Sequence, residues 1–433
     1  MNQPLFALID CNNFFVSCER IFRPDLDKRP VVVLSSNDGC VVARSNEAKL
    51  LGIPMGAPAF KYKQLFRDQA VTQFSANFEL YGDISDRISS LLADVTPHLE
   101  VYSVDESFLD LKALKINNYT TWAQDLRARI LREVGMPTSV GLATSKTLAK
   151  LAAEHAKILP ELEGTLDLIA ASVATRSAYL QATAIEDIWG VGRRLAPKLK
   201  AEGKFNALEV ANMNPKRAQQ LMGIHGRRLV SELNGISCLQ LEKVSQVAQT
   251  ITRGRTFGED TANLNAIEAA IASLSAKATL RLRQSGLTAR GARLSLSTSR
   301  FKPNYQQLNR YQTFLTPTAD TGIIAQQLVS ALGIAHNSRA SWHRADVLLY
   351  DLQPQGTLQA DLFGEVNVSV SSQSNHRMQA LDAINRRYGS NTIRIAAEDL
   401  SKTWQPKRHL SSPCYTTRWT DLPATHYPTL ALD

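Results

Sequence analysis

Residues 99–112 read LEVYSVDESFLDLK, and the apolar and β-branched residues that dominate this stretch predict a β-hairpin or two adjacent strands. Two acids, Asp105 and Glu106, sit side by side in the second of them. An isolated carboxylate is costly to desolvate, so acids within an apolar strand pair with a base or hold a metal ion. No base lies near the pair in sequence, so any partner must approach in space. Alone, the pair also reads as ordinary acids at a strand end. The run PLFALID, residues 4–10, adds a third acid by predicting a buried strand that closes on Asp10. Two divalent ions roughly 3.5–4 Å apart, bridged by carboxylates, resolve such burial and are the apparatus of in-line phosphoryl transfer.

Working outward, CNNFFVSCERIF (11–22) has Asn at the expected helix cap and apolar residues at helical spacing. An apolar strand at Pro30–Leu34, a turn at Ser35–Gly39 and a short helix stopped by Gly52 and Pro54 come next. Phe78–Leu92 predicts an amphipathic helix, and TSVGLATSKTLAKLAAEHAK (138–157) predicts strand, turn and long helix. This βα, ββ, αβ order resembles a ferredoxin-like arrangement with an insertion at about residues 23–75. After a linker at Pro160–Thr175, residues 176–237 read as helical with glycine turns, and a β-rich segment follows. Beyond Asp351 the text is polar and proline-punctuated, with a helical patch at Met378–Arg387 and a tail rich in Trp, Tyr and Thr.

A length of 433 residues predicts two to four domains. With 44% hydrophobic and 21% charged residues, disorder and coiled-coil readings fall away. No apolar run reaches ~18 residues, and the amino terminus lacks a basic n-region, so the chain is expected neither to span a membrane nor to be secreted. Five cysteines without a C-x-x-C pair indicate neither a disulfide framework nor a zinc site and favour a cytoplasmic setting. The net charge of +9 is localised: Lys243–Tyr350 holds 13 lysines and arginines against 5 acids, whereas Asp351–Asp433 balances 8 against 8. In RGARLSLSTSRF (290–301), period-2 alternation sets Arg293, Ser295, Ser297 and Ser299 opposite Leu294 and Leu296. A solvated basic face is the bland reading; a face of arginine and hydroxyls suits phosphates, and with Asp10 it tips the acid pair toward metal-assisted phosphoryl transfer over ordinary strand-end acids.

LIDCNNFFVSCE, SSNDGCVVARSNEAKLLGIPMG, YSVDESFLDL and SVGLATSKTLAKLAAEHAK resemble the Y-family translesion DNA polymerases, of the UmuC type that serves as catalytic subunit of bacterial DNA polymerase V. The resemblance covers essentially the whole chain. It implies an α+β multidomain protein: a ferredoxin-like palm (1–22 and 76–165) with a fingers insertion (23–75), a helical thumb with a helix-hairpin-helix (166–240), a β-rich little finger (243–350), and a clamp-binding linker and C-terminal tail (351–433). It implies that Asp10, Asp105 and Glu106 hold two Mg²⁺ ions, with the Cys11 carbonyl as a further oxygen. Phe15 falls at the steric-gate position, where an aromatic ring occupies the space a ribose 2′-hydroxyl needs; by itself it reads as core packing. Lys49 and Lys157 match positions that contact the triphosphate, while Asn46 stands where many relatives have tyrosine. Gly39–Ala43 is small and apolar, as a loose roof over the nascent base pair would be, so low fidelity is expected.

IEDIWGVGRRLAPKLK (185–200) resembles a helix-hairpin-helix in which Gly190 and Gly192 let backbone N–H groups reach a phosphate, and MGIHGRRL, with Gly223 and Gly226, repeats it in altered form. Arg253, Arg255, Arg293 and Arg300 are expected to grip DNA. Gln359-Ala360-Asp361-Leu362-Phe363 resembles the peptide by which bacterial polymerases dock on the sliding clamp. The implied function is error-prone, template-directed translesion synthesis in the SOS DNA-damage response. The implied partners are primer-template DNA, dNTPs, a processed UmuD-type dimer, the RecA-type recombinase filament and the clamp. A palm-fold nucleotidyl cyclase shares the carboxylates but needs neither glycine turns nor a basic domain. A noncatalytic DNA-binding factor would not need all three acids.

Overall fold

The computed structural model describes residues 4–242, 248–333, 340–356, 368–389, 391–398 and 404–422. The chain forms two compact units, Met1–Ser245 with Leu410–Asp433, and Gln246–His409.

The first unit is organised around β1 (Phe6–Cys11). Every residue of β1 but Asp10 is buried, and successive side chains alternate between two cores. Ala7, Ile9 and Cys11 face helices Phe78–Val95 and Tyr119–Val134, while Phe6 and Leu8 face helix Lys146–Ile158. Burying a side chain such as Leu8 or Ile9 stabilises by about 1.5–3 kcal/mol, which explains why an acid can be carried at the strand's end.

The insertion adds a small sheet, β3-β2-β4, from β2 (Val31–Leu34), β3 (Val41–Arg44) and β4 (Thr72–Ser75). Val32, Leu34 and Val41 pack against Ile53 and Phe66 of the insertion, whereas Val31, Val33 and Phe74 join the main core. The main sheet has the order β5-β6-β1-β7-β8, completed by β5 (Leu99–Val101), β6 (Glu106–Asp110), β7 (Thr138–Ala143) and β8 (Thr165–Asp167). β1 is antiparallel to both β6 and β7. The hairpin expected at 99–112 is β5 and β6, but Asp105 lies in the bend just before β6 rather than inside it.

Three other expectations shift. Asn13 does occupy the cap position of helix Phe14–Phe22, yet it is left-handed (φ 49°) and its side chain makes no cap bond. The palm–thumb boundary expected at 165/166 falls inside β8, which pairs with β7. The helices expected to form a separate thumb share the core of helix Lys146–Ile158, with Leu148, Ile185, Val210 and Leu233 in one cluster.

The second unit is a four-stranded sheet, order β11-β10-β12-β9, made by β9 (Ile251–Thr261), β10 (Leu287–Ser297), β11 (Gln307–Thr318) and β12 (Trp342–Pro354). Helices Leu264–Gln284 and Thr321–Gly333 cover one face through Ile267, Ile271, Ile324 and Leu328. The little-finger boundary expected at 350 lies within β12. The tail is likewise not one piece: Asp382 pairs with Arg283 at 2.7 Å and Trp404 enters the core of the second unit, whereas Leu410–Leu422 packs within the first. Among the described residues, no helix is long and apolar enough to cross a membrane.

Candidate active site

Asp10, next to last in β1, lies directly opposite Glu106 at the start of β6, so both side chains leave the same face of the sheet. Asp105 is tied to this point by its carbonyl, which accepts the Cys11 N–H at 2.9 Å. Ser103, which the sequence reading did not single out, shapes the bend. Its hydroxyl donates to Asp105 Oδ1 at 2.5 Å and accepts the Glu106 N–H at 3.0 Å. Burial is the main force that pushes the Asp10 carboxyl up to about 6, against the pull of Lys157, and the charges of Glu106 and Asp105 add to the rise.

The bases absent from the local sequence arrive in space. Lys157 Nζ donates to Asp10 Oδ1 at 2.7 Å, and Lys150 Nζ donates to Glu106 Oε2 at 2.8 Å while lying over the rings of Tyr102 and Trp189. Lys146 of the same helix pairs with Glu100, both buried. Lys150 was not foreseen, although its seven-residue spacing from Lys157 places the two on one helix face. Burial opposes the Lys157 charge, yet the Asp10 carboxylate carries its pKa above the ordinary lysine value. Lys49 is held below that value by burial and then by the charges of Lys157 and Arg44. The two lysines expected at the triphosphate therefore sense one another.

All the candidate donors are oxygens, which suits a hard divalent cation, and the mutual repulsion that helps raise Asp10 is what such a cation relieves. Among the described residues, no three His, Cys, Asp or Glu side chains converge closely enough to hold an ion. Asp10 and Glu106 are instead held by lysines, and these ion pairs would have to open for either carboxylate to hold an ion.

Phe15 is half-buried and stacks on Tyr81 at 4.6 Å, with Phe78 edge-on at 5.9 Å. Tyr81 is fully buried and its hydroxyl donates to Glu19 Oε1 at 2.7 Å. Among the thumb glycines, Gly190 adopts φ 89° in an open turn and Gly192 faces open space. Gly226 lies inside helix Ile224–Leu233, where a Cβ would come within 2.3 Å of the Ala218 carbonyl, so it serves helix packing rather than a turn.

In the second unit the expected arginines divide between two faces. Arg293 pairs in register with Leu348 and Tyr311 and shares the helix-free face with Ser295, Ser297 and Arg344. Arg253 and Arg255 pair with Val347 and Ala345, which puts them on the helix-covered face near Lys277 and Arg408. Burial, and then the charges of Arg408, Arg253 and Arg344, hold Arg255 below its ordinary pKa. Arg300 is exposed and lies over the Tyr305 ring at 5.7 Å. Gln359, Asp361, Leu362 and Phe363 lie outside the described residues.

The impB/mucB/samB family model matches residues 9–154, the C-terminal domain of that family matches 248–362, and a domain of unknown function (DUF4113) matches 377–424. The chain is 38% identical to protein UmuC of Salmonella typhimurium over 96% of this chain and 99% of that protein. It is 32% identical to protein MucB of Escherichia coli over 97% and 99%, and 28% identical to DNA polymerase IV of Dehalococcoides mccartyi over 89% and 95%. Its fold is similar to that of a Y-family DNA polymerase chimera, Dbh-Dpo4-Dbh, with TM-score 0.64 at 21% identity, covering 81% of this chain and all of that one. The DinB structure from Sulfolobus solfataricus gives TM-score 0.52 at 21% identity, covering 80% and 98%. With both family models matched and relatives along nearly its full length, the chain belongs to the impB/mucB/samB family and is a Y-family DNA-directed DNA polymerase of the UmuC type.

Proposed function

We propose that this polymerase extends primers opposite damaged template bases with low fidelity, in the SOS response, and that Asp10, Asp105, Glu106 and the Cys11 carbonyl hold two Mg²⁺ ions. Family membership brings a divalent metal in general. The observation that carries the assignment is the opposition of Asp10 and Glu106 across β1 and β6, with Asp105 hydrogen-bonded to the same point. Held there, a divalent ion would supply Lewis acidity toward the primer 3′-hydroxyl and charge neutralisation at the triphosphate.

The chain's own residues do the positioning. Lys157, released from Asp10, and Lys49 beside it supply point charges for the triphosphate. Phe15, backed by Tyr81, presents its ring to the sugar. Gly39–Ala43 covers the base pair loosely, so hydrogen bonding and stacking select the nucleotide with little steric proofreading. Gly190 and Gly192 offer backbone N–H groups to duplex phosphates, and Arg253, Arg255, Arg293 and Arg300 add sequence-independent grip. A UmuD-type dimer, a recombinase filament and the sliding clamp complete the working assembly, the clamp through Gln359–Phe363, in the cytoplasm.

The test is primer extension opposite an abasic site with dNTPs and Mg²⁺, clamp and activated partners supplied. Extension by the wild type supports the reading. Binding of primer-template without nucleotide addition would make the chain a noncatalytic DNA-binding factor.

Two further results are expected. Phe15→Ala lowers the preference for dNTP over rNTP by on the order of 10²-fold, read as the ratio of kcat/KM values, because the ring no longer fills the 2′-hydroxyl space. Divalent-ion affinity of the free protein falls about tenfold per pH unit below about 6, because Asp10 must lose its proton to bind. The sign follows from the raised carboxyl: protonation, and with it competition against the ion, dominates below about 6 and vanishes well above it. Calorimetric titrations at pH 5, 6 and 7.5 check it.

A further inference from the structure

The tail segment Leu410–Tyr415 packs against the helix that carries Phe15. Its backbone pairs with the end of β4: the Ser75 N–H donates to the Leu410 carbonyl at 2.9 Å, and Ser75 and Ser411 form a parallel bridge. Tyr415 is buried and stacks on Phe22 at 4.6 Å, with the rings 10° apart. Between these anchors, the buried Ser412 hydroxyl donates to Glu19 Oε1 at 3.0 Å. That same oxygen accepts the Tyr81 hydroxyl at 2.7 Å.

Glu19 stands one helical turn after Phe15 on the same face, and the Tyr81 ring spans the two, stacked on Phe15 with its hydroxyl on Glu19. The tail also reaches the helix that carries Tyr81. Asn77 caps Phe78–Val95 by accepting the Leu80 N–H, and its amide donates to Ser412 Oγ at 3.0 Å and to the Pro413 carbonyl at 3.2 Å. One serine thus joins the cap of one helix to the buried acid of the other. Glu19 is fully buried, and its second oxygen has no hydrogen-bond partner among the described residues. Losing Ser412 leaves Glu19 resting on Tyr81 alone, in surroundings where an undersatisfied carboxylate is costly.

We infer that Leu410–Tyr415 is a positioning element for sugar selection, fixing the Phe15 ring through Ser412, Glu19 and Tyr81. The inference gives a role to part of the segment matched by the domain of unknown function, and it rests on the reading of Phe15 as the sugar gate. Ser412 and Tyr415 are positioning residues: they touch no nucleotide, and they act by restricting where the ring can move.

The experiment compares kcat/KM for a dNTP and for the matching rNTP in full-length wild type, Ser412→Ala, Ser412→Thr, Tyr415→Ala, Tyr81→Phe and Phe15→Ala, with the clamp and partners supplied. Ser412→Ala is expected to lower the dNTP preference about fivefold, the effect of one lost buried hydrogen bond. The change should come through better use of the rNTP, with dNTP incorporation within about twofold of wild type. Ser412→Thr, which keeps the hydroxyl, should restore the preference. Ser412→Ala and Tyr81→Phe together should cost less than their sum, because both act on one oxygen of Glu19. Should a tail variant fail to fold, Tyr81→Phe reads the same chain of contacts from the other side. An unchanged preference in Ser412→Ala, Tyr415→Ala and Tyr81→Phe, alongside a collapse in Phe15→Ala, overturns the inference and leaves the tail a structural strap. An unchanged preference in Phe15→Ala overturns the gate reading itself, and this inference falls with it.

Discussion

Asp105→Ala is expected to abolish nucleotide addition, by on the order of 10³-fold or more, while leaving the protein folded and its affinity for primer-template unchanged. The size follows from what one carboxylate does in such a site, where an ion's charge stabilisation is worth several kcal/mol and each 1.36 kcal/mol is tenfold in rate. The selectivity follows from the structure. Asp105 is only half-buried; alanine keeps the backbone carbonyl that accepts the Cys11 N–H and gives up the Ser103 bond to Oδ1, while the Ser103 hydroxyl still accepts the Glu106 N–H that holds the bend. Its charge also adds to the rise of the Asp10 pKa, so removing it relieves repulsion rather than opening a hole. The melting temperature should therefore stay within a few degrees of wild type or rise. Single-turnover extension beside a DNA-binding titration checks both halves.

Gly141→Val is expected to leave little folded protein, although residue 141 touches no substrate. Gly141 sits in β7 where helix Lys146–Ile158 crosses the sheet, and a Cβ there would meet the Ala149 carbonyl at 2.1 Å and the Ala153 nitrogen at 2.3 Å. Those are backbone atoms, so no side chain can swing aside. Relief requires lifting the helix that carries Lys146, Lys150 and Lys157, which also breaks their pairs with Glu100, Glu106 and Asp10. Overpacking of this kind costs about 3 kcal/mol or more for alanine and further for valine, against a total stability of ~5–15 kcal/mol. Thermal melts of Gly141→Ala and the soluble yield of Gly141→Val measure it. An alanine variant melting like wild type would show that the helix can shift freely.

How far the sequence could be read depended on the range of the determining contacts. The hairpin carrying Asp105 and Glu106 was legible because alternation and β-branched residues act locally, and Asp10 was legible as the end of an apolar run. Glu106 opens β6 while Asp105 stays in the bend, a difference set by the Ser103 hydroxyl rather than by any propensity. The bases were not legible as partners, because Lys150 and Lys157 reach their acids across 44 and 147 residues of chain. The split of the basic patch was hidden for a related reason. Alternation shows that Arg253 and Arg255 share a face, but only pairing with Val347 and Ala345 shows which face it is. The tail was least legible of all. Ser412 and Asn77 are 335 residues apart, and neither serine nor asparagine at those positions carries a pattern.

The most direct test of the carboxylate assignment is a Mn²⁺ titration followed by electron paramagnetic resonance, on the protein with a primer lacking its 3′-hydroxyl, template and dNTP. The account predicts two bound ions per complex at pH 7.5 in the wild type, with at least one lost in Asp105→Ala and both lost when Asp10 and Glu106 are also changed to alanine. Equal Mn²⁺ occupancy in wild type and the triple variant would contradict it, and would place the metal and the chemistry elsewhere in the molecule.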